Sequence, residues 1–212
     1  MPGIADITVP ELQTRVRRFA RRYVNDWNEW IAVGDDNRPA KFGEILRRWQ
    51  ACRPNRMRRT QAEQAHGAPY LEDLIAQSNE FVRALQTFDI RVRASFTIQM
   101  EESLEGLWQL FRHLSYHGRV RNGLAGVVGI SKSVILLTEG RVGPAFDRKV
   151  RGHLKIQEPQ DCAQWINALR TVSKDIEAFE DRNCCTLQDA MPREFAGLRS
   201  GRIYDMALGP SA

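Results

Sequence analysis

The sequence predicts an all-α protein, a compact multi-helix domain, and three observations support that class. Apolar residues recur at helical spacing, three or four positions apart, along most of the chain. Two convincing strands that could pair are absent, and no repeat period appears. The 212 residues, 42% hydrophobic and 27% charged, have the size and composition of a globular protein with one core. We therefore expect residues 1–212 to form a single helical domain and a monomer.

The amino-terminal part of the chain, about residues 1–68, is predicted to be helical and basic. A first helix runs from Pro10 to Val33 and a second from Pro39 to Cys52. Arg53-Pro54 ends the second helix, because proline disfavours helical geometry in the residue before it. The segment that follows, through Gly67, is interpreted as an exposed basic loop. The apolar stripe that predicts the first helix consists of Leu12, Val16, Phe19, Tyr23, Trp27 and Trp30.

The middle of the chain predicts two further helices and an ambiguous connection. Pro69 opens a helix that continues to about Phe88. Residues 90–98 alternate between apolar and polar, but an isolated strand would have no partner, so we expect an extended connection or another helical turn. Helical spacing returns from Glu101 to His117, and this helix is expected to be deeply packed.

The carboxyl-terminal half predicts two short helices followed by a long one. A glycine-rich turn leads into a short apolar helix from about Ser131, whose apolar part runs from Val134 to Leu137, and a Gly143-Pro144 turn leads into the second short helix. A long helix is expected from Pro159 to about Arg182. The stretch from about residue 101 to 158 is interpreted as a core that holds a hairpin and an aspartate.

The positive charge of the chain favours a polyanionic partner. The net charge is +5, and arginine supplies most of the positive charge. A solvated arginine-rich surface is the alternative interpretation, but the arginines are concentrated in two dense groups near the amino terminus, which favours nucleic acid. The first group is Arg15, Arg17, Arg18, Arg21 and Arg22, and the second is Arg47, Arg48, Arg53, Arg56, Arg58 and Arg59.

Composition and spacing argue against a membrane protein and against a metalloprotein. No apolar run approaches the roughly 18 residues of a membrane span, and the first residues lack the layout of a secretory signal, so a cytoplasmic protein is expected. The four cysteines show no CxxC spacing, which favours reduced thiols. His113 and His117 stand four apart but have no evident third ligand. We expect no metal and no cofactor.

The segment from Gly129 to Ser133 carries the first candidate site. A glycine-permitted turn ahead of an apolar helix exposes backbone N–H groups, and these suit a phosphate together with the positive end of the helix dipole. Lys132 would reinforce this site. Further along, Pro144 precedes Asp147 near the first turn of the next helix, and Arg151 follows on that helix. The predicted contacts to a DNA backbone are Gly129, Ile130, Ser131, Lys132, Ser133 and Arg151.

These residues resemble the helix-hairpin-helix DNA glycosylases, in which a glycine-turn hairpin is followed by an aspartate in a D-x-x-V-like element. The resemblance covers the stretch from Gly126 to Leu154. Ser131-Lys132 and the P-x-x-D-R-x-V pattern from Pro144 to Val150 are also similar to smaller helical proteins of the same fold, as is the closing segment Arg202 to Met206. The resemblance implies a DNA-glycosylase-like helical fold, a duplex DNA partner that carries a modified base, and catalysis by Asp147 and Lys132.

The chain departs from the family pattern in two places, and the departures leave the role of Lys132 open. Ser131 stands where the hairpin usually has its second glycine, and the interval from the hairpin to Asp147 is shorter than usual. Without a gap, Ser133 takes the position of the nucleophilic lysine, and the resemblance then implies a monofunctional enzyme, which is the interpretation we favour. With one gap, Lys132 takes that position and could form a Schiff base with the sugar.

The resemblance implies that Asp147 stabilises the positive charge that develops on deoxyribose when an N-glycosidic bond breaks. The base must first leave the helical stack, so a pocket with aromatic walls is expected, for which we consider Trp108, Phe111 and Tyr116. Both expectations have a structural alternative. Asp147 would also serve as a helix cap, and aromatic residues at helical spacing usually pack in the core.

The sequence thus predicts a DNA glycosylase that excises a damaged or modified base, in repair or in defence against foreign DNA. One alternative is a non-catalytic helix-hairpin-helix DNA-binding protein that has lost the base pocket. The other is a helical protein-interaction module whose arginines meet an acidic protein, which would show no salt-dependent DNA binding.

Overall fold

A computed structural model describes residues 3–63, 67–116 and 123–211 and confirms the all-α class. Within these residues the regular structure consists of α-helices and short 3₁₀ turns, and the only β-type pairings are two isolated bridges. The α-helices are α1 (Val9–Arg17), α2 (Arg21–Ala32), α3 (Arg38–Arg48), α4 (Leu71–Ala84), α5 (Ile98–Phe111), α6 (Val127–Leu137), α7 (Arg148–Leu154), α8 (Cys162–Asn183) and α9 (Ser200–Leu208).

Helix α6 lies at the centre of the core. Its sequence VVGISKSVILL is apolar on nearly every side, and most of its residues are buried, as expected of a helix surrounded by others. It packs against α3 and α5. The Trp30 indole of α2 donates a hydrogen bond to the Leu136 carbonyl at 2.8 Å, which attaches α2 to the carboxyl-terminal end of α6. Side chains of α6 therefore face several other elements at once.

The prediction of one helix from Pro10 to Val33 is wrong in one respect, because the chain forms two helices there. Helix α1 ends at Arg17, and α2 begins at Arg21. At the break, the Ala20 amide donates to the Pro210 carbonyl at 2.9 Å, and Phe19 pairs with Ser211 in an isolated bridge. The break thus brings the segment before α2 against the segment that follows α9.

The interpretation of residues 53–67 as an exposed loop is wrong for part of the segment, although Arg53, Asn55 and Arg59 are exposed. Met57 is fully buried and pairs with Ser115 in an isolated bridge. The amide of Arg58 donates to the Leu114 carbonyl at 2.8 Å, and the amide of Tyr116 donates to the Arg56 carbonyl at 2.7 Å. The segment is therefore fixed to the chain that follows α5.

Helix α5 begins earlier and ends earlier than predicted. Thr97 caps its start with a side-chain oxygen that accepts from the Met100 amide, and a 3₁₀ turn over Arg112–Leu114 follows its end at Phe111. His117, the predicted end of this helix, lies outside the described residues. No helix in the described part of the chain is long and apolar enough to cross a membrane.

Candidate functional site

Lys132 is the buried cation at the centre of the candidate site. It lies in the middle of α6 and is only 8% exposed. Its ammonium donates a hydrogen bond to the backbone carbonyl of Trp49, the residue that follows α3, at 2.5 Å. Burial lowers the pKa of the Lys132 amine, because the charged form is poorly solvated there, and the carboxylates of Asp147 and Asp205 oppose this shift.

Asp147 is the N-cap of α7 and is half-buried. Its Oδ1 accepts hydrogen bonds from the amides of Lys149, at 2.8 Å, and Val150, at 3.0 Å. This confirms the structural alternative for Asp147, the helix cap. The two capping bonds use Oδ1 and neither uses Oδ2, so capping and a second role are compatible.

An ion pair on α9 lies beside these two residues. Arg202 is 1% exposed and Asp205 is 6% exposed, and Arg202 Nη1 donates to Asp205 Oδ2 at 2.7 Å. Asp205 Oδ1 accepts from the amide of Ala145 at 3.0 Å. Burial raises the pKa of the Asp205 carboxyl, and the Arg202 guanidinium opposes that shift. The pair brings a second carboxylate and a second buried cation to the site.

These four charged residues line one small cavity. The cavity has a free volume of about 20 Å³, which is room for roughly one water molecule and is far too small for a nucleobase. Two cations and two carboxylates thus surround a space that holds a water-sized molecule. The lining residues are Phe19, Tyr23, Trp49, Lys132, Ala145, Asp147, Arg202, Asp205 and Pro210.

Five exposed cations, which we call the basic rim, stand next to the cavity lining in the sequence. Each lies within two residues of Phe19, Tyr23 or Asp147, and in the described part of the chain none has a carboxylate within 4.0 Å. One of them, Arg22, also contributes to the electrostatic environment of Lys132. Exposed positive charge close in the sequence to the cavity lining is therefore not neutralised by direct ion pairing. The basic rim consists of Arg18, Arg21, Arg22, Arg148 and Lys149.

Arginines elsewhere in the two predicted basic groups are more often paired. Arg17 contacts Glu194, Arg47 contacts Glu63, and Arg48 contacts Asp26, Glu29 and Glu44. These arginines belong to intramolecular ion pairs. The paired set is suited to a control, although Arg15, Arg53, Arg56, Arg58 and Arg59 also have no carboxylate within 4.0 Å among the described residues.

The predicted turn at Gly129–Ser133 is wrong, because these residues lie inside α6 and are buried. The helix begins at Val127, so the amides of Ser131, Lys132 and Ser133 are in the helix interior, not at a free amino-terminal end. The amide of Ile130 already donates to the Gly126 carbonyl. The amides of residues 130–133 therefore do not form the expected phosphate-binding site. The residues around Gly129 are apolar and are surrounded by other helices, so the helix continues through this glycine.

Gly129 lies at a close packing contact inside the helix and not in a turn. A Cβ atom added there would meet the Ala51 carbonyl and Cys52 Sγ, each at 3.0 Å. The Ser133 hydroxyl donates to the Gly129 carbonyl at 2.9 Å and does not line the cavity. Of the two alignments considered for the lysine position, the one that uses Lys132 therefore agrees with the geometry of the cavity.

Ser131 has a role that the sequence did not indicate. Its hydroxyl donates to the Val127 carbonyl at 2.6 Å and accepts from the Phe146 amide at 2.9 Å. The amide of Ala145, the preceding residue, is held by Asp205. Side chains from α6 and α9 thus hold two successive amides just before Asp147.

Arg151 is occupied by contacts within the protein. Its Nη1 donates to the Phe146 carbonyl at 2.7 Å, and its Nη2 pairs with Glu158 at 2.7 Å. The guanidinium therefore fixes α7 to its two flanking segments. Its predicted contact with DNA would require the Glu158 pair to open.

The aromatic residues predicted for a base pocket do not line the cavity. Trp108 packs against Trp165 with ring centroids 5.6 Å apart, and Phe111 packs against Phe42 at 6.0 Å. Tyr116 donates from its hydroxyl to the Asn55 carbonyl at 2.9 Å. Trp108 and Phe111 therefore pack in the core, which was the structural alternative for them.

Phe19, Tyr23 and Trp49 supply the aromatic wall of the cavity instead. Sequence reasoning missed them because they lie about a hundred residues from Asp147 and because the helical stripe already explained Phe19 and Tyr23. A signal for the other missed residues was present, since Arg202 and Asp205 belong to the closing segment that resembles the same family. Two charged residues three apart in an otherwise apolar helix are rarely buried without a partner.

The described residues contain no group of three or more His, Cys, Asp or Glu side chains arranged to hold a metal ion. The chain matches no protein-family model, no curated protein and no solved structure.

Proposed function

We propose that this protein is a DNA glycosylase that excises a damaged or modified base at the cavity between α6, α7 and α9. The observation that supports it best is that Lys132 and Asp147, the two residues singled out by the sequence resemblance, line the same cavity. An amine with a lowered pKa beside a carboxylate suits chemistry at a sugar carbon.

In this proposal Asp147 and Lys132 have distinct roles. The carboxylate, through Oδ2, stabilises the positive charge that builds on deoxyribose as the bond to the base breaks. The neutral Lys132 amine attacks C1′, and the departing base takes one proton from it. As the sugar ring opens, the second amine proton passes to the ring oxygen, which leaves an imine between Lys132 and the sugar. This mechanism replaces the monofunctional interpretation, because Ser133 does not line the cavity.

The basic rim supports the DNA part of the proposal. Arg18, Arg21, Arg22, Arg148 and Lys149 are exposed cations close in the sequence to residues that line the cavity, and in this proposal they contact phosphates next to an extruded nucleotide. Tyr23 is half-buried at the cavity, and the Arg22 guanidinium lies over its ring, 4.7 Å from the ring centroid. Stacking of a base on Tyr23 would require Arg22 to move from the ring.

The size of the cavity favours a second candidate, a non-catalytic DNA-binding protein. About 20 Å³ admits a water molecule but no base, so catalysis requires the side chains at the mouth to move apart when DNA binds. A protein that only binds duplex DNA would need no such movement. This candidate predicts DNA affinity without base release.

The experiment that tests the proposal incubates the protein with duplexes that each carry a different damaged or modified base and scores abasic sites. The glycosylase proposal predicts abasic sites on at least one duplex. DNA binding with no abasic site on any duplex supports the second candidate, and the absence of salt-dependent binding argues for the protein-interaction module.

A further inference from the structure

The Arg202–Asp205 ion pair on α9 joins the two sides of the cavity. Asp205 uses both carboxylate oxygens, Oδ1 toward the Ala145 amide at 3.0 Å and Oδ2 toward Arg202 at 2.7 Å. The amide of Asp147 donates to the Ala145 carbonyl at 2.8 Å, so Ala145 begins the tight turn that carries the candidate catalytic carboxylate. Asp205 thus holds the backbone two residues before Asp147.

Arg202 connects the same carboxylate to the aromatic wall. Its guanidinium lies over the rings of Trp27, Phe19 and Trp49, with distances to the ring centroids of 4.5, 5.0 and 5.6 Å. Its Nη2 donates to the Tyr23 carbonyl at 3.1 Å. One buried ion pair therefore fixes the relative positions of the aromatic wall and the Ala145–Asp147 segment.

We propose that Arg202 and Asp205 are positioning residues for the candidate site, with Asp205 holding the Ala145–Asp147 segment and presenting a fixed negative charge to Lys132. This inference rests on the proposed function for its catalytic meaning, but its electrostatic part can be tested without DNA. A buried ion pair adds little stability over well-packed apolar residues.

The charged groups that face Lys132 come from four elements. They are Asp147 at the start of α7, Asp205 on α9, Cys52 after α3 and Arg22 on α2. Burial raises the pKa of the Cys52 thiol to about 12, so this group is neutral at ordinary pH. Asp147 and Asp205 therefore raise the pKa of the Lys132 amine, whereas burial and the positive charge of Arg22 lower it.

The test is an NMR titration of the lysine side chains in the full-length protein labelled with ¹³C at lysine Cε. The chain has five lysines, and the spectrum of Lys132→Arg identifies the Lys132 signal by its loss. Asp205→Asn keeps an oxygen that accepts from Ala145 but removes the charge. We expect the titration midpoint of Lys132 to fall by about 1 pH unit, because a facing negative charge favours the ammonium.

A matched control is Asp161→Asn, which changes an exposed N-cap of α8 outside the cavity lining and is expected to leave the Lys132 midpoint unchanged. If Asp205→Asn does not fold, the double variant Arg202→Met, Asp205→Asn removes both charges and leaves no uncompensated buried ion. It is expected to fold, but its Lys132 midpoint is expected to shift less than that of Asp205→Asn, because the Arg202 charge is removed together with the Asp205 charge. An unchanged Lys132 midpoint in folded Asp205→Asn overturns the proposal, and base release by the double variant decides it if Asp205→Asn does not fold.

The positioning role has a second readout that separates it from the proposed function. In the folded double variant we expect DNA affinity within about twofold of wild type and base release slower by roughly 100-fold, since misplacing reacting groups costs rate and not binding. A wild-type rate of release in this variant overturns the positioning role. A wild-type protein without base release refutes the proposed function alone, and the NMR result still decides the electrostatic inference.

Discussion

At the scale of single residues, the site consists of charges whose behaviour is set by burial. Lys132 is solvated by one backbone carbonyl and balanced by two carboxylates, so its neutral form is more accessible than that of a surface lysine. Asp147 caps α7 through Oδ1, and its Oδ2 takes no part in the capping bonds. The sequence indicated both residues through a motif, but it could not show that Ser133, one position further on, points away from the cavity.

Lys132 should therefore form an imine that can be trapped by borohydride on a duplex containing a susceptible base. Because the neutral amine is the reactive form and burial lowers its pKa, the yield should already be high at pH values below the ordinary range of a lysine and should rise little above it. Peptide mass spectrometry of the trapped complex locates the adduct.

The control for this experiment is a lysine away from the cavity lining. Lys132→Gln should abolish trapping, and Lys174→Gln, a change at an exposed position on α8, should leave it intact. Trapping that persists in Lys132→Gln would show that another amine reacts.

At the scale of elements, α6 shows why the predicted turn at Gly129–Ser133 was wrong. Glycines at 126 and 129 suggested a turn, because glycine permits one, but the residues between and after them are apolar and are surrounded by α3 and α5. Packing then favours a continuous helix, and the second glycine provides space for the Ala51 carbonyl. The pattern of apolar residues predicted the existence of this helix, and its start depended on neighbours that are distant in the sequence.

Gly129→Val should destabilise the fold by about 1–3 kcal/mol, because the side chain would overlap backbone and sulfur atoms that already pack closely there. Gly152→Val is the matched control, since no atom lies within 4 Å of a Cβ at that helical glycine. Chemical denaturation of both variants measures the difference. Equal free energies of unfolding of the two variants would show that the atoms around Gly129 move aside without a loss of stability.

At the scale of the whole molecule, the site is assembled from three distant parts of the chain. Phe19, Tyr23 and Trp49 come from the amino-terminal quarter, Lys132 and Asp147 from the middle, and Arg202 and Asp205 from α9. Periodicity predicted the all-α class and most of the helices, since it depends only on local spacing. The break at Arg18–Ala20 depends on contacts with residues 210 and 211, which local spacing cannot reveal.

The distribution of charge predicts salt-dependent DNA binding through the basic rim. Replacing Arg18, Arg21 and Arg22 by alanine should weaken binding across unrelated duplex sequences and reduce the slope of log affinity against log salt by about 0.9 for each phosphate that the variant no longer neutralises. Replacing Arg17, Arg47 and Arg48, which have intramolecular carboxylate partners, removes the same charge and is the control. Equally weakened binding in the two triple variants would mean that net charge, and not the rim, governs binding.

The most direct test of the glycosylase account measures single-turnover base release by Asp147→Asn on a duplex that the wild type processes, together with DNA affinity. Asparagine is itself a good cap, so the fold should be retained, and Asp161→Asn provides the same change at another cap. We predict release slower by at least about 100-fold, with affinity unchanged or tighter because a negative charge near the phosphates is gone. Release by Asp147→Asn at the wild-type rate would contradict the account and leave Asp147 as a helix cap.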